Sequence, residues 1–511
     1  MSYKLSSSTK AQIMATTQAN SLENPSNSVN RRTTRHRSKK LEPKVQQNSQ
    51  KHFLLLLLPT CLVWFLIATV FGIGNIITIF IIGIMVVVLP LYFLGRNKIN
   101  NALSVIAYLA PLEPAIRLYA PEFRYNILQY LVPLWVFLIL WRSRGRVELT
   151  TPVFAYGSYL AIELAGLLLA ESLTLARAVF VPSLATFFFI LMTPHLKLKA
   201  IDIEHIWHSF LLGACSLATL TGRIVFSGQT ITWTTQSNFQ ASGGMGPNQV
   251  SFMLCVAVFV CLLMSSRVLL RWRWLYFMLA GLQAYLMILT FSRGGLYILT
   301  GVVLVYFLLA QRLSARSILA IIFTTILLWS VFSFSTRTTE GVVLKRYNDL
   351  ETSNRVTLIE LGWQVFLENP LFGVGTGSYF TTVGQDDLLG TVSGAHNEWT
   401  RAAAEHGIFG VLFWSLFVVS VFVQAMRGFQ GENRALRLAL TALAFASMFY
   451  NGLKLIIQPY LILLALTAFS AETTTPFLRR RHLAGVPMRR SIKQSSYQPD
   501  VLTSERYEEK L

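Results

Sequence analysis

Charged residues are scarce in this 511-residue chain, where Asp, Glu, Lys and Arg together make up only 13%. A water-soluble enzyme of that length needs far more polar side chains to cover its surface, so the shortage argues against a soluble globular protein. Acid is scarcer still, with 24 Asp and Glu against 44 Lys and Arg and a formal charge of +20. A basic excess can serve nucleic acid, but here the cations are scattered through short loops and tails rather than along one soluble face, so no nucleic-acid partner is expected. Cysteine is also rare. Cys61, Cys215, Cys255 and Cys261 all fall inside apolar runs, with no partner in an outer loop and no metal-ligand spacing, and they read as packing residues. A cleaved signal peptide is not expected either, because the leader before Phe53 is long and no small-residue cleavage site follows the apolar run.

What is present is apolar length. The chain is 53% hydrophobic, with a mean hydropathy of +0.50. Apolar stretches of about 17 to 25 residues, each long enough to cross a bilayer as a helix, recur from Phe53 to Ala471, roughly fourteen in all. The predicted fold is therefore all-α, a polytopic transmembrane helical bundle of about 12 to 14 spans. With the basic N-terminal tail taken as cytoplasmic, spans at 53–71 and 73–94 return the chain to Arg96 and Lys98. Later pairs of spans end at Arg142/Arg144/Arg146, Lys197/Lys199, Arg267/Arg271/Arg273, Arg312/Arg316, Arg427/Arg434/Arg437 and Arg479 to Arg481. Every second junction is basic, as a positive-inside chain requires, and both termini fall on the cytoplasmic side. The outer junctions then lie near 113–124, 171–177, 222–248, 291–295, 336–396 and 450–454. Residues 1–50 are polar, with a basic cluster from Arg31 to Lys40, and are expected to be a disordered cytoplasmic tail that anchors topology or touches anionic lipid. Residues 51–475 form the transmembrane domain, and 476–511 a second polar cytoplasmic tail.

One connection stands out: 336–395, about 60 residues on the outer face, is far longer than joining two helices requires. Its middle reads as a helix. Ser353 or Asn354 can cap it, Leu358, Ile359, Gly362, Trp363 and Phe366 form an apolar stripe, and Asn369-Pro370 stops it. Such a helix is expected to lie flat on the membrane surface. Arg355 stands at its first turn, where a guanidinium and the free backbone amides together suit an anion; the plainer reading is an arginine hydrating a surface helix or pairing with Glu351. The following Leu371-Phe372-Gly373-Val374-Gly375-Thr376-Gly377-Ser378 has glycines spaced either for close approach of backbone to a ligand or for a turn back to the bilayer. It lacks the lysine of a nucleotide P-loop. Asp386-Asp387 reads as a solvent-facing pair, and no metal set is expected.

Two further positions carry polar groups to the same outer face. Arg293, within Phe291-Ser292-Arg293-Gly294-Gly295, interrupts two apolar runs. A charge in that position needs a reason. His396, within Gly394-Ala395-His396-Asn397-Glu398-Trp399-Thr400-Arg401, stands at the outer mouth of a span that continues through Glu405-His406-Gly407. Alone it would cap a helix or meet headgroups. Arg401 and Glu405, four apart, read as an internal ion pair, and Glu163, in the middle of a span, as a proton-relay group or the partner of another polar residue.

Taken in order, Ser292-Arg293-Gly294-Gly295, the run from Arg355 through Trp363 to Asn369-Pro370-Leu371-Phe372-Gly373-Val374-Gly375, and Ala395-His396-Asn397 followed by Glu405-His406-Gly407 resemble the O-antigen ligase and O-antigen polymerase superfamily over about residues 280–415. Upstream, Ser242-Gly243-Gly244-Met245-Gly246-Pro247-Asn248-Gln249 is similar to a segment that precedes this domain in polysaccharide polymerases. The resemblance implies direct, inverting transfer of a glycan from an undecaprenyl-pyrophosphate carrier to an acceptor hydroxyl on the outer face of the bacterial cytoplasmic membrane. The acceptor is a growing glycan, a lipid core or a protein, membrane lipid is the setting, and no cofactor is implied. Guanidinium forks suit pyrophosphate oxygens, so Arg293 and Arg355 become pyrophosphate-binding residues, and His396 becomes the base for the acceptor hydroxyl. Ser292, Gly294, Asn397 and Glu405 enter as supporting residues. Family ligases carry a further arginine in an earlier outer segment; Arg117, Arg124, Arg177 and Arg223 are the choices, with Arg223 the first because Thr221-Gly222-Arg223 ends a span just before the Ser/Thr/Gln/Gly loop. The competing class is a solute carrier of the bicarbonate kind, suggested by Glu163 and the His205/His208 pair, although carriers gather ionisable groups at the midplane in matched halves.

Overall fold

The computed structural model describes residues 49–96, 98–121, 127–143, 148–268, 270–310, 315–348, 355–383, 396–427 and 431–469. The two tails, Arg124, the Glu351 to Asn354 cap and Asp386-Asp387 lie outside the described residues. The chain is a bundle of helices: α1 Ser49–Phe71, α2 Ile76–Gly95, α3 Ile99–Leu109 with α4 Glu113–Tyr119, α5 Ile127–Ser143, α6 Thr151–Leu169, α7 Leu173–Met192, α8 Ala200–Val225 and α9 Pro247–Arg267. They continue as α10 Leu270–Leu289, α11 Arg293–Ala310, α12 Ala315–Thr338, α13 Val342–Asn348, α14 Arg355–Glu368, α15 Tyr379–Thr382, α16 Glu398–Met426, α17 Glu432–Asn451 and α18 Ile457–Leu466.

By length and composition, six described helices, α1, α2, α6, α7 extended to His195, α9 and α16, are long and apolar enough to cross a membrane. Shorter or more charged helices, α5, α8, α10, α11, α12, α17 and α18, run between them, and α3 joins α4 through a 3-10 turn at Ala110–Leu112. This is the all-α polytopic architecture that the apolar runs predict. A two-residue parallel bridge, β1 Lys197–Leu198 with β2 Ala468–Phe469, is a local tie.

Local sequence explains where the helices begin. Asn75 accepts from the Ile77 amide to cap α2, and Asn397 accepts from Trp399 to cap α16. Pro152 and Pro247 sit in the first turns of α6 and α9, where no amide donor is needed. The centre of the bundle is α9: 83% of its apolar window is buried, against 22% for α1 and for α2. It packs on α8, α10, α11 and α17, while α16 packs on α6 and α14. As a result the C-terminal ends of α8, α10 and α17 and the N-terminal ends of α9, α11 and α16 share one end of the bundle.

The candidate active site

At that end the chain between α10 and α11 turns sharply. Phe291 adopts a left-handed backbone, φ 58°, and its buried ring stacks on Trp233 at 5.5 Å. A non-glycine residue holds that conformation only when its surroundings fix it. The turn delivers Ser292 and Arg293 to the start of α11, where the Ser292 amide donates to Thr290 Oγ1 at 3.2 Å. The Ser292 hydroxyl donates to Asn248 Oδ1 at 2.8 Å, and Tyr450, from the last turn of α17, donates to the same oxygen at 2.8 Å. The two hydroxyls also touch each other. Gly294 is required by this arrangement, since a methyl group there would overlap the Tyr450 ring.

Over the other face of Tyr450's environment comes Arg355, the first residue of α14, its guanidinium carbon 3.9 Å from the ring centroid. Arg346, on the short helix α13, is buried and donates from Nε to the Phe291 carbonyl at 3.4 Å. Arg346 and Arg293 both act electrostatically on Tyr347 beside them. Sequence reading passed over Arg346 because its seven-residue helix lies inside the long loop and has no apolar run to announce it. Tyr450 was likewise missed; its only signal was its place at the 450–454 outer junction.

His396 precedes the α16 cap. Neither ring nitrogen has a hydrogen-bond partner among the described residues, and Nδ1 is fully buried. Burial first, then the charges of Lys454 and Arg355, push its pKa down to about 3, so the imidazole is neutral at neutral pH. Lys454, in the turn between α17 and α18, is itself pushed down to about 8, chiefly by burial and against the pull of Glu398. The carbonyl of Lys454 accepts from Arg117 at 2.8 Å, and Arg117 also reaches Gln249 at 3.3 Å and Glu113 at 2.5 Å. Arg117 is thereby joined to the Asn248-Gln249 segment and the Lys454 turn. Arg223, the first choice from sequence, donates instead to the Ala68 carbonyl on α1 at 3.0 Å, and Arg177 is exposed on α7.

Behind this surface a buried network ties α6 to α16. Arg401 donates to Glu405 at 2.7 Å, to Glu163 at 2.7 Å, to the Tyr159 hydroxyl at 3.0 Å and to Glu398. Glu163 is thus the partner of a charged residue, as one of its two sequence readings held. Glu398 also accepts from the Leu453 amide at 3.1 Å, which links the network to the Lys454 turn. Glu405, expected as a supporting residue, sits in this network and accepts from the Tyr379 amide at 3.4 Å.

The glycine run after α14 approaches protein rather than open space. Val374 and Gly375 donate to the carbonyls of Ala404 and Glu405, and Ile408 donates to that of Pro370. Gly407, φ 60°, breaks the regular path of α16 beside these contacts. Gly373, φ 67°, has no room for a methyl group against the Glu405–His406 backbone. The stripe on α14 divides: Leu358, Gly362 and Val365 face inward, whereas Val356, Ile359, Trp363 and Leu367 are exposed. No group of three or more His, Cys, Asp or Glu suited to a metal ion occurs among the described residues.

Arg293, Arg355, His396, Ser292 and Gly294 therefore converge around Tyr450 and Lys454, with Asn397 capping the helix beneath His396. Residues 278–415 match the family model described as O-antigen ligase. No curated protein matches the chain. The matched segment runs from α10 through α14 to the first half of α16 and carries Ser292, Arg293, Arg346, Arg355 and His396, and over those residues the chain is similar to the O-antigen ligase family.

Proposed function

We propose that this chain is a membrane glycosyltransferase that moves a glycan from an undecaprenyl-pyrophosphate carrier to an acceptor hydroxyl on the outer face of the bacterial cytoplasmic membrane, polymerising surface-polysaccharide repeat units. The observation that carries the reading is a neutral histidine, His396, beside Arg355 and Lys454, with Arg293 and Arg346 together beside Tyr347, at one end of an apolar bundle. Arg355 and Lys454 both bear on His396, and a polyanion is favoured beside such a pair of cations.

The chemistry follows. The acceptor oxygen bonds to the anomeric carbon as the bond from that carbon to the pyrophosphate oxygen breaks. The leaving pyrophosphate keeps the electron pair, and the arginine forks stabilise the charge it gathers. The acceptor's proton passes to His396, which is neutral and has no hydrogen-bond partner among the described residues. By family analogy the transfer is direct and inverts the anomeric centre. Polymerisation rests on the Gly246-Pro247-Asn248-Gln249 segment, whose Asn248 and Gln249 contact Ser292, Tyr450 and Arg117. The solute-carrier alternative loses its main support, because Glu163 is bound to Arg401 and His208 is held between Ser49 and Tyr276.

The test is transfer by purified protein in detergent, with a lipid-pyrophosphate-linked repeat unit and chelator present. A ladder of lipid-linked oligomers is expected, abolished in Arg293→Ala and Arg355→Ala and poorly rescued by Lys, which lacks the planar fork. Product that forms only when a lipid core or protein is added would make the chain a ligase. Near-normal activity in either alanine variant would overturn the pyrophosphate role, and silence with every acceptor would return the carrier reading.

A further inference from the structure

Resting on the donor reading above, we infer that Tyr450 is a positioning residue that holds Arg355 ready for pyrophosphate without consuming its charge or its donors. The usual partner of a fixed arginine is a carboxylate, which spends both. Arg355 has no carboxylate partner among the described residues, and its guanidinium carbon lies over the Tyr450 ring, 3.9 Å from the centroid. A cation held over a ring face engages the π system rather than a hydrogen-bond acceptor, so its N–H groups are left for phosphate oxygens.

The ring is itself held on three sides. Its hydroxyl donates to Asn248 at the start of α9 and touches the Ser292 hydroxyl at the start of α11. Its edge fills the space left by Gly294. Tyr450 therefore fixes Arg355 relative to the turn that carries Arg293, and one side chain sets the spacing between the two arginines assigned to the donor. A stacked cation also stays hydrated at its rim, so it needs no buried counter-charge that an incoming anion would have to displace.

The experiment measures binding of undecaprenyl pyrophosphate and of undecaprenol to the purified full chain in detergent. The difference between the two lipids isolates the headgroup. Wild type should prefer the pyrophosphate lipid. Tyr450→Leu should weaken that lipid about tenfold, the scale of a partly desolvated cation–π contact, and leave undecaprenol unchanged. Tyr450→Phe keeps the ring and should recover to within about threefold of wild type. Combining Tyr450→Leu with Arg355→Ala should add little to Arg355→Ala alone, because both remove one interaction. Equal weakening of both lipids by Tyr450→Leu, equal losses in the Phe and Leu variants, or full additivity with Arg355→Ala would each overturn the positioning role. If wild type shows no preference between the lipids, the donor reading itself fails; if it prefers the pyrophosphate lipid and Tyr450→Leu does too by the same margin, only the Tyr450 inference fails.

Discussion

How well His396 takes a proton depends on what lies against Lys454 and Arg355. Burial and those two cations push its pKa down to about 3, so it is neutral but a feeble base. A pyrophosphate seated on the same cations brings at least two negative charges close to the ring, and an opposite charge within hydrogen-bonding range favours the imidazolium. The proton affinity of the base should therefore rise when the donor arrives. The profile of kcat/KM reports the free enzyme and that of kcat the donor complex. The acid limb of kcat should lie at least about one pH unit above that of kcat/KM, and kcat/KM should show no limb near the ordinary histidine value. Lys454 works in the opposite direction: it is charged below its pKa of about 8 and neutral above, so donor capture should fall as pH rises through that value, and Lys454→Arg should remove the basic limb. An acid limb in kcat/KM near pH 6.5, unchanged in kcat, would show that the two cations do not act on His396. His396→Ala should lose about 10² to 10⁴ in rate, the usual share of a general base.

At the scale of elements, the joint between α6 and α16 holds the His396 end of the site in place. One guanidinium, Arg401, faces three carboxylates, Glu163, Glu398 and Glu405, all of them buried. Removing the cation leaves acid unpaired in an apolar surround, a change that typically costs about 3 to 5 kcal/mol. Removing one of three competing acids costs far less, and Oε2 of Glu163 already lacks a hydrogen-bond partner. Thermal melting in detergent should thus fall sharply for Arg401→Leu and little for Glu163→Gln; equal drops would mean that the network is not electrostatically crowded. Sequence made part of this joint legible, because an i,i+4 Arg401–Glu405 pair and a stray Glu163 are local or compositional signals. The start of α14 at Arg355 and its stop at Asn369-Pro370 were legible for the same reason. The role of the glycine run was not: its spacing signals close approach, and only the fold shows that what approaches is the α16 backbone at the Gly407 break. Tyr450 and Arg346 were hidden more deeply, because their meaning lies in contacts with residues 248, 292 and 291, far away in the chain or across a turn that no periodicity describes.

At the scale of the whole molecule, the alternation of basic junctions and the packing of helix ends are independent observations that agree. The charge pattern sorts Arg96, Lys197, Arg267 and Arg427 to one side from sequence alone, and the fold gathers Arg293, His396, Tyr450 and Lys454 at the ends of helices that the alternation assigns to the other. Under positive-inside bias the candidate site is expected to face away from the cytoplasm, as the proposed function requires. The native cysteines make this directly measurable: Cys215, Cys255 and Cys261 are buried and Cys61 is half-buried in an apolar helix, so all four should react slowly with a membrane-impermeant thiol reagent. Gln229 and Lys98 are both exposed, on opposite sides of the proposed topology. In intact spheroplasts Gln229→Cys should label fully, while Lys98→Cys should label only after the membrane is opened. The reverse pattern would invert the bundle, place the arginine cluster in the cytoplasm and overturn the outward-facing site of the proposed function. Labelling of both in intact spheroplasts would break the alternation itself, and with it the placement of every junction between them.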